Sequence, residues 1–142
     1  MIGDYSTLSL IDLISERHKE LRNKLNDKWK DLSNEELSSS ETYILAIVEK
    51  GEFTMAEIAR RIGISRQGVH KIIKGLIERG YVEFKEKPDN KRDKSVVLTQ
   101  HGEKCCREIN KIKIEIEKEI EDNIGDEDKE ELRRILCRNI IK

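Results

Sequence analysis

The sequence predicts a mainly α-helical fold carrying one small β-hairpin, and three observations predict it. Apolar residues recur at spacings of three and four over most of the 142 residues, the period of an amphipathic helix. Alternation of apolar and charged residues is confined to the region around Tyr81–Lys87 and Ser95–Thr99. Finally, 40% of the residues are charged, 36% are apolar and only six are aromatic, too few for a large globular core. Burial must come from aliphatic helix stripes, including stripes shared with a second chain.

The first helix is expected from about Ser6 to Trp29, where Ile11, Ile14, His18, Leu21 and Leu25 form a narrow heptad-like stripe. A helix of that length with one stripe has to lay it against the rest of the chain or against a partner. Leu32 to Leu37 is a polar break with a short turn of helix. Glu41 to Lys50 follows as a short amphipathic helix facing inward through Tyr43, Ile44, Ile47 and Val48, and Gly51 ends it.

The stretch Thr54 to Gly80 is the centre of the chain. Thr54 caps a helix, and Glu57 three residues on completes a capping box. Ile58 and Ile62 give that helix its stripe, Ala56 and Ala59 allow close packing, and Gly63 stops it by accepting a positive φ. Ser65 caps a second helix running to Gly80, with Val69, Ile72, Ile73, Leu76 and Ile77 on one face. Its other face collects Arg66, Gln67, His70, Lys71 and Lys74. From Ile58 to Gly75 there are five Lys or Arg and no carboxylate. Two helices at a sharp turn, the second with a basic outer face, form the helix-turn-helix pattern suited to DNA.

Beyond Gly80 the period changes. Tyr81–Lys87 and Ser95–Thr99 read as two strands around the charged turn Pro88–Lys94, a β-hairpin wing. Thr99 caps the next helix, whose stripe passes Cys105, Ile109, Ile112, Ile116, Ile120 and Ile124. Gly125 and Asp126 break it, and Glu131 to Ile140 form the final helix. The organisation expected is an N-terminal dimerisation helix over 1–37, a winged helix-turn-helix over 38–102 and C-terminal dimerisation helices over 103–142, intertwined as one domain.

Charge is distributed to match. Net charge is −1, yet residues 54–102 hold 11 basic and 6 acidic side chains, against 7 and 11 before them and 10 and 12 after. A phosphate-attracting surface is thereby concentrated on the middle third. The longest apolar run, Ile44 to Val48, is far shorter than the roughly 18 residues of a membrane span. No signal peptide is evident, and three cysteines make no disulfide framework, so a reduced, cytoplasmic protein is expected. There is no Gly-rich phosphate loop, metal-ligand cluster or nucleophile with a spaced His and carboxylate, so neither an enzyme nor a cofactor or metal is expected.

The segments ISRQGVHKIIKGLIERGYV (64–82) and PDNKRDKSVVLTQHG (88–102), bracketed by long terminal helices, resemble the multiple-antibiotic-resistance regulator (MarR) family of bacterial transcription factors. The family's wing usually reads Asp-x-Arg followed by Leu-Thr-x-x-Gly. Arg92, Leu98, Thr99 and Gly102 match, whereas Asn90 replaces the Asp, and Asp89 or Asp93 is left to steady the arginine. The resemblance implies a homodimer with interleaved terminal helices, the second helix of the motif in the major groove and the wing tip in the minor groove. It also implies a pseudo-palindromic double-stranded operator. Many members release DNA on binding a small aromatic or phenolic effector between the dimer helices and the DNA-binding lobe, and others respond to oxidation of a cysteine in the N-terminal helix.

On that reading Arg66, Gln67 and His70 reach base edges, where Arg pairs with guanine and Gln with adenine. Ser65, Lys71, Lys74 and Arg60 contact phosphates, which position without specifying. One of Arg60 and Arg61 is open to pairing with a carboxylate such as Glu57. Lys91 and Arg92 are the wing's minor-groove contacts. His18 either lines an effector cavity or is a hydrogen-bonded interface histidine. Cys105, Cys106 and Cys137 read first as small buried hydrophobes, with redox sensing as the alternative. A winged helix that binds an acidic protein partner in place of DNA is the other competing function.

Overall fold

The structure, a computed structural model, describes residues 4–87 and 90–141; of residues 87 and 90–93 only the backbone is described. After a short 3-10 turn (Tyr5–Thr7) come α1 (Leu10–Ser33), α2 (Ser39–Glu49), β1 (Phe53–Thr54), α3 (Met55–Ile62) and α4 (Arg66–Glu78). The chain continues as β2 (Val82–Lys87), β3 (Asn90–Leu98), α5 (Gln100–Ile124) and α6 (Asp126–Leu136).

Caps explain most of the boundaries. Ser9, Ser38, Thr54, Ser65 and Thr99 each accept a backbone N–H three residues on, opening α1 to α5 in turn. Two of them form full capping boxes, Ser38 with Glu41 and Thr54 with Glu57. Helix α4 stops at Glu78, two residues before Gly80. Gly80 sits at φ 82°, and the Tyr81 N–H reaches back to the Leu76 carbonyl at 2.9 Å, closing a Schellman turn.

Three expectations need correcting. The first helix begins at Leu10, where Ser9 caps it, rather than at Ser6, and it runs four residues past Trp29, because the chain leaves it only at Asn34, held left-handed at φ 61°. The final helix runs from Asp126 to Leu136, not from Glu131 to Ile140. Gly125 alone makes the break, and Asp126, Glu127 and Asp128 favour a first helical turn, where backbone N–H groups attract negative charge. The second wing strand begins at Asn90 rather than Ser95, since a hydrogen-bonded ladder forms through charged residues as well as apolar ones.

The sheet is antiparallel in the order β1-β3-β2, with Phe53 opposite Val96, Phe84 opposite Val96 on the other side, and Val82 opposite Leu98. The two-residue β1 was too short to read from the sequence. One core joins all layers: Trp29 of α1, Ile44 and Leu45 of α2, Ile58 of α3, Val69, Ile73 and Leu76 of α4, Tyr81, Val82, Val96, and Cys105, Ile109 and Ile112 of α5.

The long helices behave differently along their length. Leu25 and Trp29 of α1 are buried, but Ile11 and Ile14 toward its start are 77% and 46% exposed. Helix α6 turns back along α5, with Lys129 bonded to Glu121 at 3.1 Å, and buries none of its own side chains. Leu132, Ile135 and Leu136 are therefore left on the surface. Among the described residues no helix is long and apolar enough to cross a membrane.

Candidate nucleic-acid interface

Helix α4 is anchored by its apolar face. Val69, Ile73 and Leu76 are fully buried, which turns Arg66, Gln67, His70, Lys71 and Lys74 outward, all exposed. Ser65 stands at the head of this row, its Oγ accepting the Gly68 N–H at 3.0 Å. Gly68 makes room there, since a Cβ at this position would lie 3.2 Å from the Ser65 oxygen. Among the described residues none of the α4 cations just named forms an ion pair.

The flanking arginines of α3 separate. Arg60 is exposed beside the row, while the Arg61 guanidinium lies 5.4 Å over the Phe53 ring. The Glu57 carboxylate accepts from both the N–H and the hydroxyl of Thr54 at 3.1 Å, completing the cap. Lys91 and Arg92 lie on β3 near the wing tip, but their side chains fall outside the described residues, as do Asp89 and the side chain of Asp93. Lys94 was missed in the sequence. It is exposed on β3 and lines one notch of about 470 Å³ with Arg66, Gln67 and His70. Strand alternation from the buried Val96 was the available signal, obscured by treating the whole of Pro88–Lys94 as turn.

The rear of α4 is held by polar contacts instead. Arg79 bonds Glu41 at 2.6 Å and donates to the Glu36 carbonyl, and its guanidinium lies over the Tyr81 ring. The Tyr81 hydroxyl donates to Glu35, and its ring stacks on His101. Burial, with the Glu35 carboxylate beside it, pushes the phenol well above its ordinary range. Thr99 then ties strand to helix: its N–H bonds the Tyr81 carbonyl at 3.1 Å and its Oγ accepts the Gly102 N–H at 3.0 Å. Gly102 is required at this junction, because a Cβ would lie 2.0 Å from the Tyr81 oxygen.

His18 is exposed and stands between two hollows. One is an apolar groove of about 530 Å³ shared with Leu21, Leu25, Ile116, Leu132 and Leu136. The other, of about 310 Å³, is shared with Arg22, Tyr43, Arg61 and Ile64, between α1 and the α2–α3 pair. Arg22 has a buried Nη1 with no hydrogen-bond partner among the described residues, and its guanidinium lies 5.3 Å from the Tyr43 ring. Burial lowers the pKa of both Arg22 and Lys113, and the Arg22 charge lowers Lys113 further.

The cysteines divide. Cys105 and Cys106 are both buried, and burial pushes their thiols up to about 12 and about 11. Such thiols carry little thiolate near neutrality. Cys137 is exposed, unlike the buried hydrophobe expected. Among the described residues no group of three His, Cys, Asp or Glu is placed to hold a metal ion.

The chain's relatives point the same way. Residues 36–93 match a family model described as MarR family. The HTH-type transcriptional regulator TcaR of Staphylococcus aureus (strain Newman) is 33% identical over 111 residues, covering 75% of this chain and 73% of that protein. The uncharacterized HTH-type transcriptional regulator YwoH of Bacillus subtilis (strain 168) is 32% identical over 126 residues, covering 89% and 90%. Among solved structures, apo MarR from E. coli superposes with a TM-score of 0.76 at 19% identity, over 92% of this chain and 96% of that one. A MarR variant from E. coli complexed with operator DNA gives 0.75 at 19% identity, over 95% and 97%.

Proposed function

This chain belongs to the MarR family of HTH-type transcriptional regulators, and on that premise we propose that it is a dimeric, sequence-specific DNA-binding repressor released by a small-molecule effector. The observation that carries the reading is the front of α4, where Arg66, Gln67, His70, Lys71 and Lys74 stand exposed on a helix whose other face is locked into the core. Arg66, Gln67 and His70 read base edges in the major groove; Ser65, Arg60, Lys71 and Lys74 hold phosphates; Lys91 and Arg92 enter the minor groove. The relatives are regulators of transcription rather than enzymes.

Dimerisation is supported by the apolar surface the single chain leaves open. Leu10, Ile11 and Ile14 at one end of α1 and Ile135 on α6 are exposed, and Leu132 and Leu136 of α6 line the groove of about 530 Å³. A second copy covering this face would set two α4 helices at a fixed spacing, matched to half-sites about one helical turn (~34–36 Å) apart. The hollow at His18, Arg22 and Tyr43 favours a small aromatic effector bearing negative charge, since Arg22 has a buried donor with no hydrogen-bond partner among the described residues and Arg61 lines the same hollow as a second cation. It binds in the cytoplasm, and it acts by changing the spacing between the two α4 helices rather than α4 itself.

The test is selection of bound duplexes from a random pool, with light scattering of the same sample and a subsequent screen for ligands that release the winning duplex. A dimer enriching an inverted repeat is expected. A monomer at micromolar concentration, or a pool with no enriched sequence, contradicts the reading.

A further inference from the structure

We propose that the notch between the front of α4 and the base of the wing is a seat for one DNA backbone strand, in which Lys94 grips a phosphate and Phe84 packs against the adjoining deoxyribose. The inference rests on the reading that α4 enters the major groove and the β2–β3 wing the neighbouring minor groove. Adjacent grooves of a duplex are separated by one phosphodiester strand. A body with a helix in one groove and a ribbon in the next has to straddle that strand, so the concavity between the two elements is where it passes.

The concavity exists and its walls have the chemistry. It is lined by Thr54, Arg66, Gln67, His70, Phe84 and Lys94 and encloses about 470 Å³. Phe84 lies opposite Val96 on one face of the sheet, and beyond the register shift at Lys85–Lys87 Lys94 lines the same notch as Phe84. At the base of the wing that face is core, with Val82 and Val96 buried. One step further out it emerges as Phe84, 41% exposed, with Lys94 beside it.

A comparison within the wing separates Lys94 from a merely solvated charge. Lys85 stands on the opposite face and is neutralised by Glu52 at 2.8 Å. Lys94 has no ion pair among the described residues, and the Arg66 guanidinium lining the same notch repels it rather than pairs with it. An exposed Phe beside an unneutralised Lys, facing a basic helix, suits a ligand that is anionic and apolar in alternation, as a sugar–phosphate chain is.

The experiment measures affinity against salt concentration on the selected duplex and a scrambled one, for the wild type and for Lys94→Gln, Lys85→Gln, Phe84→Ala and Arg66→Ala. Lys94→Gln is expected to weaken both duplexes by the same factor, roughly 5- to 10-fold near 0.1 M salt, and to flatten the log–log slope by about 0.9. Lys85→Gln keeps the wild-type slope, and Phe84→Ala weakens binding without changing it. A methylphosphonate replacing the phosphate between the two occupied grooves should weaken the wild type and leave Lys94→Gln no weaker than before. A wild-type slope in Lys94→Gln, or a changed base preference, overturns the proposal. If Arg66→Ala still loses base discrimination in that case, the DNA-binding reading survives and only the strand seat fails; a wild type that binds no duplex removes both.

Discussion

The two ends of α4 are built to opposite specifications. At the front, Arg66, Gln67, His70, Lys71 and Lys74 stand exposed with no ion pair among the described residues. At the rear, Arg79 and Tyr81 are tied to Glu35, Glu36 and Glu41, residues of the α1–α2 connection and the first turn of α2. One end leaves its charge exposed; the other pairs it within the chain. The rear contacts tie the end of α4 to the α1–α2 connection and the start of α2.

The largest effect should come from the rear. Gly102→Ala drives a Cβ into the Tyr81 carbonyl, which cannot retreat while it holds the Thr99 N–H. A loss of about 3 kcal/mol in urea unfolding at fixed protomer concentration is expected. An unchanged midpoint would show that the junction is loose and the rear not fixed.

Arg66→Ala comes next and should act on binding alone. Loss of one bidentate base contact costs about 1–3 kcal/mol, or roughly 5- to 150-fold in affinity for the selected duplex, with discrimination relaxed at one position of each half-site. The unfolding midpoint should stay put, because the side chain is exposed and touches nothing that holds the helix.

Arg79→Ala reverses that pattern. The ion pair to Glu41 is only half-buried, with side chains 39% and 17% exposed, so a stability loss of about 1–2 kcal/mol is expected with base preference intact. If base preference changed instead, the division between the two ends would be wrong.

The smallest effect concerns the helix beneath the rear. The folded chain keeps Cys105 protonated up to about 12 and Cys106 up to about 11, against an ordinary value of 9. Above about pH 9 the unfolded chain has lost protons that the folded chain retains, so stability falls as pH rises toward 12 and is unaffected by these groups below 9. Thiol titration of the native protein at pH 7.5 should find Cys137 reactive and the other two silent until unfolding.

The front was more legible in the sequence than the rear, for a physical reason. Helical caps and stripes are local: Thr54 with Glu57, Ser65 with Gly68, and the row Val69, Ile73, Leu76 each lie within a few residues, so the orientation of Arg66 and His70 followed from the sequence. The rear contacts join Arg79 to Glu41 and Tyr81 to Glu35, separations of 38 and 46 residues that no local pattern announces. The same limit hid β1, whose two residues acquire meaning only opposite Val96 and Ser95. Lys94 was hidden for a different reason: a run of charge reads as loop, whereas the strand extends from Asn90 to Leu98.

Selection of bound duplexes with the Gln67→Ala variant, set beside the wild-type selection, tests the central claim most directly. The account predicts the same inverted repeat and spacing, with preference relaxed at one symmetric pair of positions. An unchanged preference at every position would contradict the assignment of base reading to the front of α4.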